Sequence, residues 1–145
     1  MTPLKLGHVH LKVRSLDRSL PFYQSIAGLE VTERAGPYAF LSDGVEHHSL
    51  ALQELGEGAA GPGNRSVGLY HIAFEVANEE EFEEAEKRVR KLTRFAAVDH
   101  GISWAIYFDD PDGNGIEIYL DRRGKPGSRE SWQGISKALV DSHNA

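Results

Sequence analysis

Residues 103–120, SWAIYFDDPDGNGIEIYL, decide the fold prediction. They predict two strands joined by a tight turn at 110–113, where proline presets φ and glycine supplies a positive φ. Side chains alternate between the two faces of a strand, so Glu117 is expected to point away from the isoleucines on either side of it. Tyr107 on the outgoing strand shares its face with Asp109. The stretch therefore predicts a carboxylate on a rigid strand with apolar packing behind it.

The composition limits the classes of function. The chain has 145 residues, a formal net charge of −6 and no cysteine. Its length suits one domain with a real core. Nucleic-acid binding is not expected because the charges are mixed and no basic patch is present, and disulfides, thiolate ligands and cysteine nucleophiles are excluded. No apolar run reaches membrane-spanning length and the first residues do not form a signal peptide, so a cytoplasmic protein with no membrane partner is expected.

A βαβββ pattern precedes the hairpin. Residues 7–13 alternate between polar and apolar side chains, as a half-buried strand does, and His8 opens this strand. A helix is predicted to begin close to Asp17 and to end at Gly28, which suits the left-handed position that terminates helices. Three short strands are then predicted, at 29–34, 38–42 and 48–53.

A glycine-rich linker at 56–66 separates this pattern from a second copy of it. Residues 69–76 alternate in the same way, and His71 opens the strand. Asn78, with glutamate three residues later, predicts the start of a helix whose apolar residues recur at helical spacing. Further strands are then predicted at 94–98, 103–109 and 115–120.

The two patterns form an internal repeat. We predict an α+β fold, organised as one domain over residues 1–145, with module one at about 5–55 and module two at about 67–121. Pseudo-two-fold symmetry between the modules would give a curved mixed sheet around a cleft. The tail at 122–145 is predicted to be turn-like, with a short helix at 131–142 and no catalytic group.

Two histidines occupy equivalent places in the repeat. His8 and His71 each open the first strand of their module, with apolar side chains on the opposite face. Together with Glu117 they would present two imidazoles and one carboxylate to one cleft. That set suits a divalent first-row metal and leaves coordination positions free. The pattern alone leaves a second interpretation open, in which each residue is a solvent-facing strand residue or a satisfied core histidine.

The chain resembles the vicinal oxygen chelate superfamily over nearly all of residues 7–122. This superfamily includes glyoxalases, fosfomycin-resistance proteins, bleomycin-binding proteins and extradiol ring-cleaving dioxygenases. Residues 99–122, DHGISWAIYFDDPDGNGIEIYLDR, are similar to the catechol 2,3-dioxygenase-like extradiol enzymes. Those enzymes have a histidine before the hairpin, a tyrosine on its outgoing strand and a metal-binding glutamate on its return strand. His100, Tyr107 and Glu117 match these positions.

Three further positions match the same resemblance. EHHSLAL, at 46–52, resembles the strand that carries the acid–base histidine, and His48 is the matching residue. His8 and His71 match the first-strand histidines of the two modules. The resemblance implies the vicinal oxygen chelate fold and an Fe(II) centre held by His8, His71 and Glu117, with Mn(II) as the alternative metal.

The resemblance implies an extradiol dioxygenase that opens a catechol-type ring beside its two hydroxyl groups. In that reaction His48 accepts and later returns a proton, Tyr107 hydrogen-bonds the ionised substrate oxygen, and His100 stabilises the bound ring or oxygen species. The expected partners are a small aromatic diol and dioxygen. Pairing of open sheet edges favours a homodimer or a larger oligomer.

Two other classes of function stay open. One is another metal-dependent enzyme of the same fold, such as a glyoxalase-like isomerase or lyase, or a thiol transferase of the fosfomycin-resistance kind. The other is a metal-free protein that binds a small aromatic compound. Glyoxalases usually take a fourth ligand from the last strand of module one, where this chain has only Leu50, Ala51 and Leu52. Three ligands favour the oxygen-activating function.

Overall fold

Each half of the chain folds into one βαβββ motif, as the internal repeat predicts. The computed structural model describes residues 1–139, which divide into one unit that ends at Ser66 and another that begins at Val67. The elements of the first unit are β1 (Val9–Val13), α1 (Leu16–Ala27), β2 (Glu30–Ala35), β3 (Tyr38–Ser42) and β4 (Leu50–Glu54). Those of the second are β5 (Ile72–Val76), α2 (Glu79–Arg90), β6 (Ala96–Asp99), β7 (Ser103–Asp109), β8 (Gly115–Asp121) and β9 (Lys137–Ala138).

Each unit contains its own mixed sheet. The strand order is β1-β4-β3-β2 in the first unit and β5-β8-β7-β6-β9 in the second. In both sheets the first strand of the motif pairs in parallel with the last strand, and the neighbouring pairs are antiparallel. Helix α1 contacts β4, and α2 contacts β5 and β8. The α+β class and the two βαβββ motifs predicted from the sequence are confirmed.

Both helices begin where local signals predict. The Ser15 side chain accepts a hydrogen bond from the backbone N–H three residues later, and Gly28 ends α1 with φ of 65°. Asn78 caps α2 by accepting from the Glu81 N–H, and the Glu81 side chain reaches back to accept from the N–H of Ala77, one residue before the cap, at 2.8 Å. The buried apolar stripes of the two helices comprise Leu16, Leu20, Tyr23 and Ile26 in α1 and Phe82, Ala85 and Val89 in α2. Within residues 1–139 no helix is long and apolar enough to cross a membrane.

The predicted hairpin between β7 and β8 is confirmed, and a buried aspartate closes it. Asp110 is 4% exposed, and its Oδ1 accepts the backbone N–H groups of Asp112 at 2.8 Å and Asn114 at 2.9 Å. Three polar groups are satisfied by this carboxylate, since its Oδ2 also accepts from the Asn114 side chain. The turn therefore fixes the register that places Tyr107 opposite Glu117.

Four strands begin two or three residues later than the sequence pattern predicts. Strands β1, β4, β5 and β6 begin at Val9, Leu50, Ile72 and Ala96, so the predicted starts at 7, 48, 69 and 94 are wrong, and His8 lies directly before β1. Strand β5 lies at the edge of its sheet and pairs with β8, which begins only after the turn. The ladder therefore cannot extend further toward the start of β5. As a result, His71 lies directly before its strand instead of within it.

The predicted helix at 131–142 is wrong for the part of it that the structure describes. Gln133 and Gly134 have φ of 57° and 73°, and this left-handed backbone interrupts a helix. The chain instead forms β9, which pairs antiparallel with β6. Residues 140–145, which contain the end of the predicted helix, lie outside the described residues.

Gly115 allows the strand that carries Glu117 to lie directly against the segment that carries His71. A Cβ at this position would overlap the backbone oxygen of Tyr70 and lie 3.2 Å from the Cβ of His71. We expect Gly115→Ala to lower the free energy of unfolding by about 2–3 kcal/mol, a cost typical of overpacking, in urea denaturation. Gly58→Ala is the control, because a Cβ there meets nothing within 4 Å. Equal stability of the two variants would contradict the prediction.

Candidate metal centre

Glu117 lies in the middle of β8, between β5 and β7. Its register partners are Ala73 on β5 and Tyr107 on β7. Ile116 and Ile118 point to the opposite face and are almost completely buried. The Glu117 side chain is itself only 11% exposed, so the sheet holds this carboxylate in a restricted and largely dry environment.

His71 places a second potential ligand atom beside this carboxylate. Its Nε2 lies 2.8 Å from the Glu117 Oε2. Two ligand atoms, each about 2.1 Å from an ion and at right angles, are about 3 Å apart, so these two atoms fit adjacent positions around a first-row metal. The Nδ1 of His71 is buried and has no hydrogen-bond partner among the described residues. The donor chemistry and the spacing therefore fit a metal ion.

Tyr107 connects Glu117 to His100. Its hydroxyl donates to the Glu117 Oε1 at 3.2 Å and lies 2.7 Å from the His100 Nε2. Burial, followed by the negative charge of Glu117, raises the pKa of Tyr107 to about 12. The phenol therefore keeps its proton at neutral pH and acts as a hydrogen-bond donor. The second unit thus brings His71 together with Glu117 and Tyr107 of the hairpin and with His100 of the preceding loop.

Two tail residues that sequence reasoning missed also contact this network. The Oγ of Ser136 lies 2.6 Å from the His100 Nδ1, and the indole N–H of Trp132 donates to the same Oγ at 2.9 Å. The sequence signal for these contacts is weak, because it consists of a tryptophan in an otherwise polar tail. The tail was predicted to have no chemical role.

His8 and His48 lie side by side in the first unit. Their ring centroids are 4.6 Å apart, and the ring of Phe40 packs 4.9 Å from that of His48. Burial lowers the pKa of His48 from its ordinary value, and the imidazoles of His8 and His47 lower it further. His48 is therefore mainly uncharged at neutral pH, and this is the form that accepts a proton.

The strand registers explain why only one module offers a carboxylate at this position. In the second module, the parallel ladder between the first and last strands pairs Ala73 with Glu117. The same step of the ladder in the first module pairs His10 with Ala51. An alanine side chain has no ligand atom. The first module therefore has no carboxylate on β4 at the position that Glu117 occupies on β8.

The three predicted metal ligands are divided between the two units. His71 and Glu117 form their pair within the second unit, and His8 belongs to the first. In the part of the chain that the structure describes, no group of three or more His, Asp or Glu side chains gathers closely enough to hold a metal ion. Binding of one metal by all three residues stays a prediction.

Comparison with known sequences places the chain in a family. A sequence profile of the Glyoxalase/Bleomycin resistance protein/Dioxygenase superfamily matches residues 5–118, and the chain belongs to that superfamily. The chain is 35% identical over 129 residues to Catechol-2,3-dioxygenase from Bacillus subtilis (strain 168), a match that covers 88% of this chain and 44% of the relative. It is also 35% identical over 124 residues to Manganese-dependent 2,3-dihydroxybiphenyl 1,2-dioxygenase from Geobacillus genomosp. 3, covering 81% and 36%.

Other similar proteins are closer to this chain in length, and one of them is a lyase. Lactoylglutathione lyase from Neisseria meningitidis serogroup B (strain ATCC BAA-335 / MC58) is 28% identical over 129 residues, covering 83% of this chain and 94% of the lyase. The crystal structure of a glyoxylase/bleomycin resistance protein/dioxygenase domain from Frankia sp. EAN1pec has a TM-score of 0.70 and 25% identity, covering 83% of this chain and 100% of that one. This match confirms the vicinal oxygen chelate fold. The chain spans less than half the length of the two dioxygenases.

Proposed function

We propose that this chain is an extradiol ring-cleavage dioxygenase that uses Fe(II), with Mn(II) as the alternative metal, and acts on a catechol-type diol. The observation that carries the proposal is the connected network of His71, Glu117, Tyr107 and His100 in the second unit. It joins two potential metal ligands to a phenol and an imidazole. The 35% sequence identity to each of two dioxygenases also supports a dioxygenase reaction.

In this proposal His8, His71 and Glu117 hold the metal. The bound metal would supply positive charge that lowers the pKa of the diol hydroxyls, and one site where diol and dioxygen meet. The protein contributes a single negative charge, that of Glu117, because the two imidazoles bind in their neutral form. A divalent centre held this way keeps a net positive charge and attracts an ionised diol.

In this proposal the Tyr107 hydroxyl, which donates to the Glu117 Oε1 in the structure, turns to donate its hydrogen bond to the ionised oxygen of a bound diol. Its pKa of about 12 keeps the proton on the phenol, so Tyr107 donates to the diol oxygen without giving the proton away. His100 is hydrogen-bonded to Tyr107, and its imidazole stabilises charge that develops on the bound ring and oxygen species. Both groups act where negative charge accumulates.

His48 acts as the proton acceptor. Its lowered pKa makes the neutral imidazole available near neutral pH, so it can take a proton from a diol hydroxyl and return it later in the reaction. Its ring lies beside that of His8, which places this base next to a proposed metal ligand.

A lyase or isomerase of the same fold is the second candidate function. It is favoured by the Neisseria lactoylglutathione lyase, whose length matches that of this chain. A lyase can use a similar set of two histidines and one glutamate, but it does not require His48, His100 and Tyr107 together. The dioxygenase and the lyase are therefore distinguished by these three side chains and not by the metal ligands.

The proposed partners are a small aromatic diol and dioxygen, with self-association into a homodimer or larger oligomer. Strands β1 and β2 lie at the edges of the first sheet, and β5 and β9 at the edges of the second. Outer strands present backbone groups that can pair with a second copy.

The test is anaerobic loading with Fe(II) or Mn(II), removal of free metal, and addition of a panel of diols in aerated buffer. The proposal expects one dioxygen to be consumed per diol, with a yellow ring-opened product. The hemithioacetal of methylglyoxal and glutathione is the competing substrate. Its turnover, with no oxygen uptake on any diol, would support the lyase instead. Diol binding by protein that takes up no metal would support a binding function.

A further inference from the structure

The tail folds against the loop between β6 and β7 and holds it at several points. The Arg129 backbone N–H donates to the Gly101 oxygen at 2.9 Å, and its guanidinium donates to the carbonyls of His100 at 3.3 Å and Ile135 at 3.0 Å. Gly101 has φ of 80°, and a Cβ there would overlap that guanidinium. The loop that carries His100 is therefore shaped to receive the tail.

The hydrogen bonds that run from the tail to the carboxylate can all be assigned in one direction. An indole N–H can only donate and a carboxylate can only accept, so Trp132 is a donor at one end of the series and Glu117 an acceptor at the other. In this assignment the single hydroxyl proton of Tyr107 is donated to Glu117 at 3.2 Å. The 2.7 Å contact between Tyr107 and His100 then takes the His100 Nε2–H as its donor.

This direction of the hydrogen bonds defines the role of Ser136. With the proton of the neutral imidazole on Nε2, the Nδ1 of His100 is an acceptor. The Ser136 oxygen accepts from Trp132, and its own proton is free to donate to that Nδ1 at 2.6 Å. We propose that Ser136, held by Trp132, is a positioning residue that fixes the ring orientation and tautomer of His100 for ring cleavage. This inference rests on the proposed function.

The location of Trp132 supports a positioning role. Its side chain is 50% exposed, so it contributes little to the apolar core. Its ring instead meets the His100 ring edge to face, with centroids 6.1 Å apart, while its N–H holds Ser136. Trp132 therefore contacts the His100 imidazole directly through its ring and indirectly through Ser136.

The kinetic test compares Ser136→Ala with Ser136→Thr, which keeps the hydroxyl, and with Ser131→Ala, an exposed serine of the same tail. Loss of one aligned hydrogen bond is expected to lower kcat about fivefold to tenfold in Ser136→Ala, with KM nearly unchanged. Ser136→Thr restores most of the rate, and Ser131→Ala behaves as the wild type. In a His100→Gln background, Ser136→Ala adds no further loss because the positioned ring is gone.

The second measurement needs neither metal nor turnover. Long-range ¹H–¹⁵N spectra of the metal-free protein report histidine tautomers, and we expect one Nε2–H form with narrow signals for His100. Ser136→Ala broadens or shifts those signals, and Trp132→Phe does so less. Unchanged signals, or a full kinetic effect of Ser136→Ala without His100, overturn the proposal. Absence of dioxygenase activity alongside the expected spectra overturns the proposed function and leaves the positioning of His100 supported.

Discussion

Glu117→Gln is expected to weaken Fe(II) and Mn(II) binding by more than about 100-fold and to abolish ring cleavage. Loss of an outer partner of a metal ligand already costs about 10–100-fold in affinity, and loss of a direct ligand is expected to cost more. Glutamine keeps the size of the side chain and can still accept from Tyr107. It removes the negative charge that lies 2.8 Å from the His71 imidazole.

The matched control for this charge change is Glu75→Gln. Glu75 lies on β5 of the same sheet and is exposed, so its neutralisation changes the net charge by the same amount without removing a proposed ligand. Equilibrium dialysis with elemental analysis measures the affinity, and thermal unfolding with added metal gives an independent readout because a bound ion raises Tm. Equal metal affinity in Glu117→Gln and Glu75→Gln would contradict the prediction.

The same measurement on His8→Ala tests the contribution of the first unit. If His8 is a ligand, its loss weakens metal binding about as strongly as the loss of His71. If metal affinity is unchanged, His71 and Glu117 bind the ion without it and the predicted three-residue set is wrong.

The sequence was sufficient to predict the repeated motif because its signals are local. Strand alternation, the caps at Ser15 and Asn78, and the left-handed Gly28 depend on residues a few positions apart. The hairpin at 103–120 is likewise a local structure, so its two strands and its turn were predicted; the register that pairs Tyr107 with Glu117 came from the structure.

The errors arose where structure depends on distant partners. Alternation alone extended β5 back to residue 69, although its ladder begins only where β8 becomes available at Gly115. The tail was assigned a helix from composition, but its conformation follows from pairing with β6 and from the left-handed Gln133. His100 and Ser136 are 36 positions apart, and no periodic pattern links them.

His48→Gln is expected to lower kcat at least about 100-fold, the usual contribution of a general base, while metal affinity stays close to that of the wild type. The neutral imidazole is the active form, and burial together with neighbouring imidazoles lowers the pKa of His48 so that this form prevails at pH 7. Glutamine fills a similar volume beside Phe40 but cannot accept a proton at this pH. Steady-state oxygen uptake measures the rate, and dialysis measures the metal.

His10→Gln is the control, because His10 is an exposed imidazole on the neighbouring strand whose ring lies against Tyr38. It is expected to keep kcat within about threefold of the wild type, as surface substitutions usually do. A large loss of metal affinity in His48→Gln would instead indicate that His48 is a metal ligand, as His8 is proposed to be. Equal rates in His48→Gln and His10→Gln would remove His48 from the mechanism as the proton acceptor.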